Sequence, residues 1–270
     1  MSSTYLNYPS STLVSPGQPD IVRRTIDSES VRNMHSMTAM SSSSSSPKFT
    51  LYTYFRSSCS ARLRIALNLK GIPYVSRTVN LLKDEHLTAE HSAINPSNTV
   101  PALVVEFPAS KKARGFTITQ SLAALEYLEE IDASHPLLPP VSDPEARATV
   151  RTLADIIACD VQPVTNLKVL KWVGKPGVHI DREKWARTFI MDGFRAYEAI
   201  AASTAGKFSV GDQITLADVC LIPAAWGAER VGVKLSAFPT IERVVKRLEK
   251  EDAVKNAHWR AQEDTPVGLR

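Results

Sequence analysis

Ser57-Ser58-Cys59 is the segment of this sequence best suited to chemistry. It follows the alternating, aromatic-rich run Phe49 to Tyr54, which predicts a strand. It precedes Leu63, Ala66, Leu67 and Leu69 at helical spacing, with Gly71 placed to end the helix. The first N–H groups of a helix lack internal partners, and the helix dipole makes that end positive, so an anion there is stabilised. A serine hydroxyl beside it can donate to a thiolate and lower the thiol pKa. Arg56, Arg62 and Arg64 add positive potential nearby. Spacing alone leaves a plain structural alternative open: an N-cap serine needs no further role, and Cys59 can be a small packed side chain.

Two further features bear on the same chemistry. Asn98-Thr99-Val100-Pro101 leads directly into a strand; a cis Val100–Pro101 bond would turn the Val100 backbone outward to pair with an extended peptide. Gln120-Ser121 opens the next helix and offers a second anion site. Together these suggest a binder of a short, acidic, thiol-bearing peptide. His86 and His91 have no metal-ligand spacing and read as exposed polar side chains, so no metal is expected.

The elements that must position these residues fall into two patterns. From Phe49 to Ile131 the order is β-α-β-(α)-β-β-α. The second strand is expected over Pro73–Asn80, a short helical or irregular piece through Glu90, and further strands at Ala102–Phe107 and Phe116–Thr119. Lys111, Lys112, Arg114 and Gly115 mark a hairpin tip, and Ser121 is expected to cap a helix carrying Leu122, Leu125, Leu128 and Ile131. Residues 47–135 thus form an α/β domain, and Pro136, Pro139 and Pro140 mark a linker over 136–142. Residues 143–270 read as helix alone. Asp143-Pro144-Glu145 is a helix start, and apolar periodicity runs from it to about Val173. Pro163 is expected to kink or break that helix, and a second long helix runs from about Asp181 to Ala202. Thr215 and Asp218 have capping-box spacing, and an amphipathic helix comes after Pro239.

Composition bounds the function classes. The chain has 270 residues, 43% hydrophobic and 22% charged, which excludes wholesale disorder and a collagen-like fibre. No apolar run reaches membrane-spanning length, so no membrane partner is expected. The net charge of +4 is small, and Arg243, Lys246, Arg247 and Lys250 alternate with acids, which reads as a solvated helix face and not a nucleic-acid stripe. Cys59, Cys159 and Cys220 are too few for a disulfide framework, and a reducing, cytoplasmic setting fits them. Residues 1–46 carry fourteen serines and read as a disordered tail. Arg23, Arg24 and Arg32 raise mitochondrial import as the alternative, but Asp20, Asp27 and Glu29 balance them. A chain starting at Pro47 is expected to keep its thermal midpoint and turnover; a large drop in either would show that the tail packs on the core.

The segment Phe55-Arg56-Ser57-Ser58-Cys59-Ser60, continuing into Arg62-Leu63-Arg64-Ile65-Ala66-Leu67, resembles zeta-class glutathione transferases, the maleylacetoacetate isomerases. Val100-Pro101, Gln120-Ser121, Gln162-Pro163, Asn166-Leu167 and the run from Val210 to Asp218 fit the same family, so the resemblance covers roughly 48–270. It implies the glutathione transferase fold: a thioredoxin-like α/β N-terminal domain that binds glutathione, an all-α C-terminal domain, and a homodimer. By resemblance, Ser57 is the thiolate-stabilising serine with Ser58 and Cys59 beside it as catalytic residues. Val100 would pair with the glutathione backbone, Gln120 and Ser121 would hold its γ-glutamyl end, and Gln162 and Asn166 would reach the cleft from the helical domain. Arg56 and Arg230 would bind a small anionic substrate. The implied activity is glutathione-dependent cis–trans isomerisation of maleylacetoacetate to fumarylacetoacetate in tyrosine and phenylalanine catabolism, alongside general transferase activity.

This sequence also departs from the family pattern. Ala61 replaces a usual Trp, His86 aligns across a two-residue gap with a glutamine that contacts glutathione in relatives, Lys168 replaces a serine, and Trp226 occupies a region poor in bulky residues. The hairpin at Lys111 to Gly115 is longer than usual. Three rivals stay open: a thiol oxidoreductase using Cys59, a transferase using Tyr52 or Tyr54 to activate the thiol, and a non-catalytic interaction module.

Overall fold

Alternation along β1 (Lys48–Thr53) turns Phe49 and Leu51 into the core. The computed structural model describes residues 46–108 and 114–270; the serine-rich tail up to residue 45 and the hairpin tip at 109–113 lie outside the described residues. β1 pairs in parallel with β2 (Tyr74–Thr78) and antiparallel with β3 (Ala102–Phe107). β3 pairs antiparallel with β4 (Arg114–Ile118), giving the order β2-β1-β3-β4. Two helices, α1 (Ser58–Leu69) and α3 (Ser121–Ile131), supply Leu63, Leu67, Leu125 and Leu128 to the core formed with Phe49, Leu51, Leu103 and Val105. Gly71 stops α1 at φ +63, a left-handed conformation that glycine adopts without penalty.

Two local expectations are revised. The piece expected to end near Glu90 continues as a 3-10 turn (Glu85–Leu87) and then α2 (Ala89–Ile94), whose first turn is capped by the Thr88 hydroxyl. Ser121 is not the N-cap of α3: Gln120 holds that position without a side-chain bond, and Ser121 is the first helical residue. The proline-rich linker is anchored at both ends. Lys70, whose side chain is fully buried, donates to Glu129 at 3.0 Å and to the carbonyls of Asp132 and His135. Glu129 in turn accepts from the Leu137 and Leu138 amides, and the Leu137 carbonyl accepts from Leu216.

The helical half begins with α4 (Pro144–Asp155), capped by Asp143 as expected. Pro163 does not itself break the chain. A π turn (Ile156–Val161) precedes it, and Pro163 falls in the first turn of α5 (Gln162–Thr165), where a missing N–H costs little. The break comes at Asn166, whose extended backbone starts α6 (Leu167–Val173). The remaining helices are α7 (Arg182–Thr204), α8 (Leu216–Arg230), α9 (Pro239–Leu248) and α10 (Asp252–Ala257). The start of α8 is set by buried Asp218, whose carboxylate accepts from the Thr215 amide and hydroxyl and from the Ser209 amide. On the exposed face of α9, Lys246–Glu242 and Arg247–Glu251 ion pairs bear out the solvated reading. α1 is the hub: it packs against α3, α8 and α10, and the described residues form one compact unit.

Candidate functional site

Ser57 is the N-cap of α1. Its backbone is extended and its Oγ accepts from the Ser60 amide at 3.1 Å. That bond uses an oxygen lone pair, so the hydroxyl proton stays available and has no acceptor among the described residues. Ser58 and Cys59 lie half-buried in the first turn. Tyr54 packs edge-on against Phe55, and burial, opposed by Arg56, pushes its phenol pKa up.

Arg62 and Arg64 do not supply the open positive potential expected of them, because both are buried. The Arg64 guanidinium donates to Thr53 Oγ1 and to the carbonyls of Tyr54, Phe55 and Ala257. It fastens the β1–α1 turn to the end of α10, and burial lowers its pKa to about 10. Arg62 donates through Nη1 to Ser121 Oγ at 3.0 Å, which links α1 to the start of α3 and leaves the Ser121 proton free to point elsewhere. Its Nε and Nη2 have no partner among the described residues, and its electrostatic neighbours are Cys59, Cys220 and Cys159. Cys159 belongs to the π turn leading into Gln162, so that turn, the first turn of α1 and the start of α3 converge.

Val100 precedes a cis peptide bond to Pro101, and its N–H and C=O find no partner among the described residues. The loop before it is braced from inside. Asn95 is fully buried; its Nδ2 donates to Thr99 O at 2.8 Å and Thr99 Oγ1 at 3.2 Å, and its Oδ1 accepts from the Ser97 amide at 2.9 Å. His91 is not the exposed polar residue expected from the sequence. It is 4% exposed and bonds Thr99 O through Nε2 at 3.0 Å. Neither residue stands out in the sequence as part of the site, although Asn95-Pro96-Ser97-Asn98 is a turn signal that marks the loop they hold. Asn95→Ala is expected to cost about 2–4 kcal/mol by stranding the Thr99 carbonyl and the Ser97 amide. A thermal melt and a glutathione titration check it; both stability and glutathione affinity should fall.

The remaining sequence-selected residues divide. Gln120 is exposed and Gln162 half-buried, and neither side chain makes a hydrogen bond within the described residues. Asn166, expected to reach the cleft, is engaged in its own turn: Oδ1 accepts from the Val169 amide and Nδ2 donates to Pro163 O. Lys168 is exposed. One turn on, Lys171 pairs with Asp84 at 2.8 Å and ties α6 to the loop after β2. His86 lies in that loop, and its buried Nδ1 has no partner among the described residues; burial lowers its pKa.

Arg56 and Arg230 come from the two halves of the chain and lie within electrostatic range of each other. Arg230 ends α8 and does not pair with Glu229; neither it nor Arg56 forms an ion pair among the described residues. Its guanidinium folds back along the helix over Gly227. The residue as a whole is exposed at the helix end, while protein crowds its guanidinium. Burial, and then the like charge of Arg56, lower its pKa. Arg56 is exposed and lies over the rings of Phe55 and Trp259. Two guanidiniums that form no ion pair among the described residues offer a site for an anion carrying more than one negative charge.

The descriptions "Glutathione S-transferase, N-terminal domain" and "Glutathione S-transferase, C-terminal domain" match residues 56–131 and 188–252. The maleylacetoacetate isomerase of Aspergillus fumigatus is 67% identical over 229 residues, covering 84% of this chain and 97% of its own. The chain belongs to the zeta-class glutathione transferases. A maleylacetoacetate isomerase from Anaeromyxobacter dehalogenans solved with glutathione in its active site superposes at a TM-score of 0.73, with 39% identity and 82% and 99% of the two chains covered. A second structure of that enzyme, holding dicarboxyethyl glutathione and citrate, has the same TM-score at 37% identity, covering 83% of this chain and 96% of its own.

The residues of this zeta-class transferase fit glutathione. Val100 offers an unpaired N–H and C=O, Ser57 an unassigned proton, and Ser121 a hydroxyl at the start of α3 backed by the Arg62 charge. His86 adds a buried ring nitrogen that has no partner among the described residues.

Proposed function

We propose that the protein catalyses the glutathione-dependent cis–trans isomerisation of maleylacetoacetate to fumarylacetoacetate, a step of tyrosine and phenylalanine catabolism, and conjugates neutral electrophiles as a side activity. The observation that carries the reading is that Arg56 and Arg230 form no ion pair among the described residues: the substrate is a dianion, and two such guanidiniums match it.

Bound glutathione would supply a thiolate for reversible addition to the activated cis double bond. Val100 would hold its backbone, Gln120 and Ser121 its γ-glutamyl end, and Gln162 would approach from the helical side, with Asn166 fixing the turn that carries Gln162. Ser57 would donate a hydrogen bond from its hydroxyl to the sulfur, which favours the thiolate near neutral pH. Ser58 and Cys59 shape the same turn. Arg56 would bind a substrate carboxylate, and Arg230 would help hold the dianion and stabilise enolate charge as it develops.

On this reading the domains are 47–135 and 143–270, joined by 136–142, and the protein works as a homodimer in the cytoplasm. Phe116, 40% exposed on edge strand β4 and packed against Phe107 and Tyr127, supports a self-association surface. Three free cysteines fit a reducing compartment. The test is isomerisation of maleylacetoacetate with and without glutathione. Turnover that requires glutathione is expected, and its absence at any glutathione concentration would defeat the proposal.

A further inference from the structure

The last residues of the chain return to the start of α1. Asp264 accepts from the Phe55 amide at 2.9 Å, and Arg64 reaches the Ala257 carbonyl at 3.2 Å. Between these ties His258 and Trp259 form a short strap, held internally by Arg260 N to His258 Nδ1 at 3.2 Å and Gln262 Nε2 to His258 O at 2.9 Å. The strap rests on α8, where Trp226 meets His258 edge-on with ring centroids 4.6 Å apart. His258 in turn lies 5.2 Å from Trp259.

Trp259 is where the strap touches the site. Its ring packs against the buried cluster of Tyr54, Phe55, Val79 and Val100, the wall that presents the Val100 backbone. The Arg56 guanidinium lies 5.9 Å from the Trp259 centroid and 5.4 Å from that of Phe55, and Arg260 lies 4.9 Å from Trp259. An aromatic face attracts a cation without neutralising it. The indole therefore holds Arg56 in place and leaves its N–H groups for a ligand, whereas a carboxylate partner would have consumed them. Arg56 is exposed and repels Arg230, so without such a surface its long side chain is free to swing away.

We propose that Trp259, delivered by the C-terminal strap, is the positioning residue that fixes Arg56 against Arg230 and thereby sets affinity for the carboxylate-bearing second substrate. This rests on the reading of Arg56 and Arg230 given under the proposed function. Trp226 and His258 form the footing of the stack, which gives the bulky Trp226 a role on the strap side of α8.

The test compares Trp259→Ala, Trp259→Leu and Trp259→Phe, together with Arg56→Ala and the Arg56→Ala/Trp259→Ala double variant. Each is measured for KM and kcat on maleylacetoacetate and on chlorodinitrobenzene, for glutathione Kd and for melting temperature. Trp259→Ala and Trp259→Leu should raise KM for the dianion about tenfold with kcat changed less than about twofold, and Trp259→Phe should restore most of it. Neutral-substrate kinetics and glutathione affinity should hold, and the double variant should be no worse than Arg56→Ala. Equal losses on both substrates, wild-type behaviour of Trp259→Leu, or additive losses in the double variant would overturn the inference. A raised KM in Arg56→Ala beside an unchanged one in Trp259→Ala overturns this inference alone. An unchanged KM in Arg56→Ala overturns the underlying reading of the site as well.

Discussion

Ser57→Ala is expected to lose about 10- to 150-fold in glutathione-dependent turnover, while Cys59→Ala stays within a few-fold of the parent. The loss corresponds to one charge-assisted hydrogen bond of about 1.5–3 kcal/mol. Ser57 has two roles that the experiment must separate. Its oxygen caps α1 by accepting from Ser60, and its proton is free for the sulfur. Alanine removes both, and the cap alone is worth about 0.5–2 kcal/mol of stability. Ser57→Asp keeps a capping oxygen, offers no proton near neutral pH and repels an anion. It should therefore melt near the parent temperature and yet be inactive. Ultraviolet titration of the bound thiol supplies the direct readout: the glutathione pKa should rise in both variants and stay put in Cys59→Ala. An inactive Cys59→Ala beside a fully active Ser57→Ala would instead favour a thiol oxidoreductase that uses Cys59.

Arg230→Ala should lower kcat/KM for maleylacetoacetate about 100-fold and leave a neutral electrophile within about threefold. A structural ion pair would give a different result, with both activities and the melting temperature falling together. No ion pair joins Arg230 to Glu229 among the described residues, and after burial it is the like charge of Arg56 that lowers the Arg230 pKa. Removing Arg230 therefore relieves a repulsion, and the melting temperature should hold or rise. Glutathione affinity serves as the internal control. Equal losses on charged and neutral substrates would remove Arg230 from the second-substrate site.

The readable part of the molecule is the part whose causes are local. Ser57 before α1, Asp143 before α4 and Thr215 with Asp218 at α8 are capping arrangements completed within about one helical turn, and each lies where its residues predict. Residue spacing likewise locates β3 at Ala102–Phe107 and leaves β1 displaced by only one residue. Where local competition is close, spacing misleads. Pro163 has the look of a break, but the preceding π turn lets it sit in a first turn. Ser121 has the look of a cap, but its hydroxyl is claimed by Arg62.

Residue order alone specifies the α/β-then-helical arrangement, the serine-capped start of α1, and, through family resemblance, the residues that bear on glutathione. What the arginines do is settled by packing. Arg62, Arg64 and Arg56 lie within nine positions of one another and are alike as sequence; burial makes the first two braces and leaves the third open. Arg64 finds Ala257 across 193 residues and Phe55 finds Asp264 across 209, separations at which no periodicity or propensity carries information. A helix cap is settled by neighbours the chain cannot avoid. An unneutralised pair such as Arg56 and Arg230 exists only because the packing of α8 and the strap against α1 brings two positive charges together and supplies aromatic faces there in place of a carboxylate.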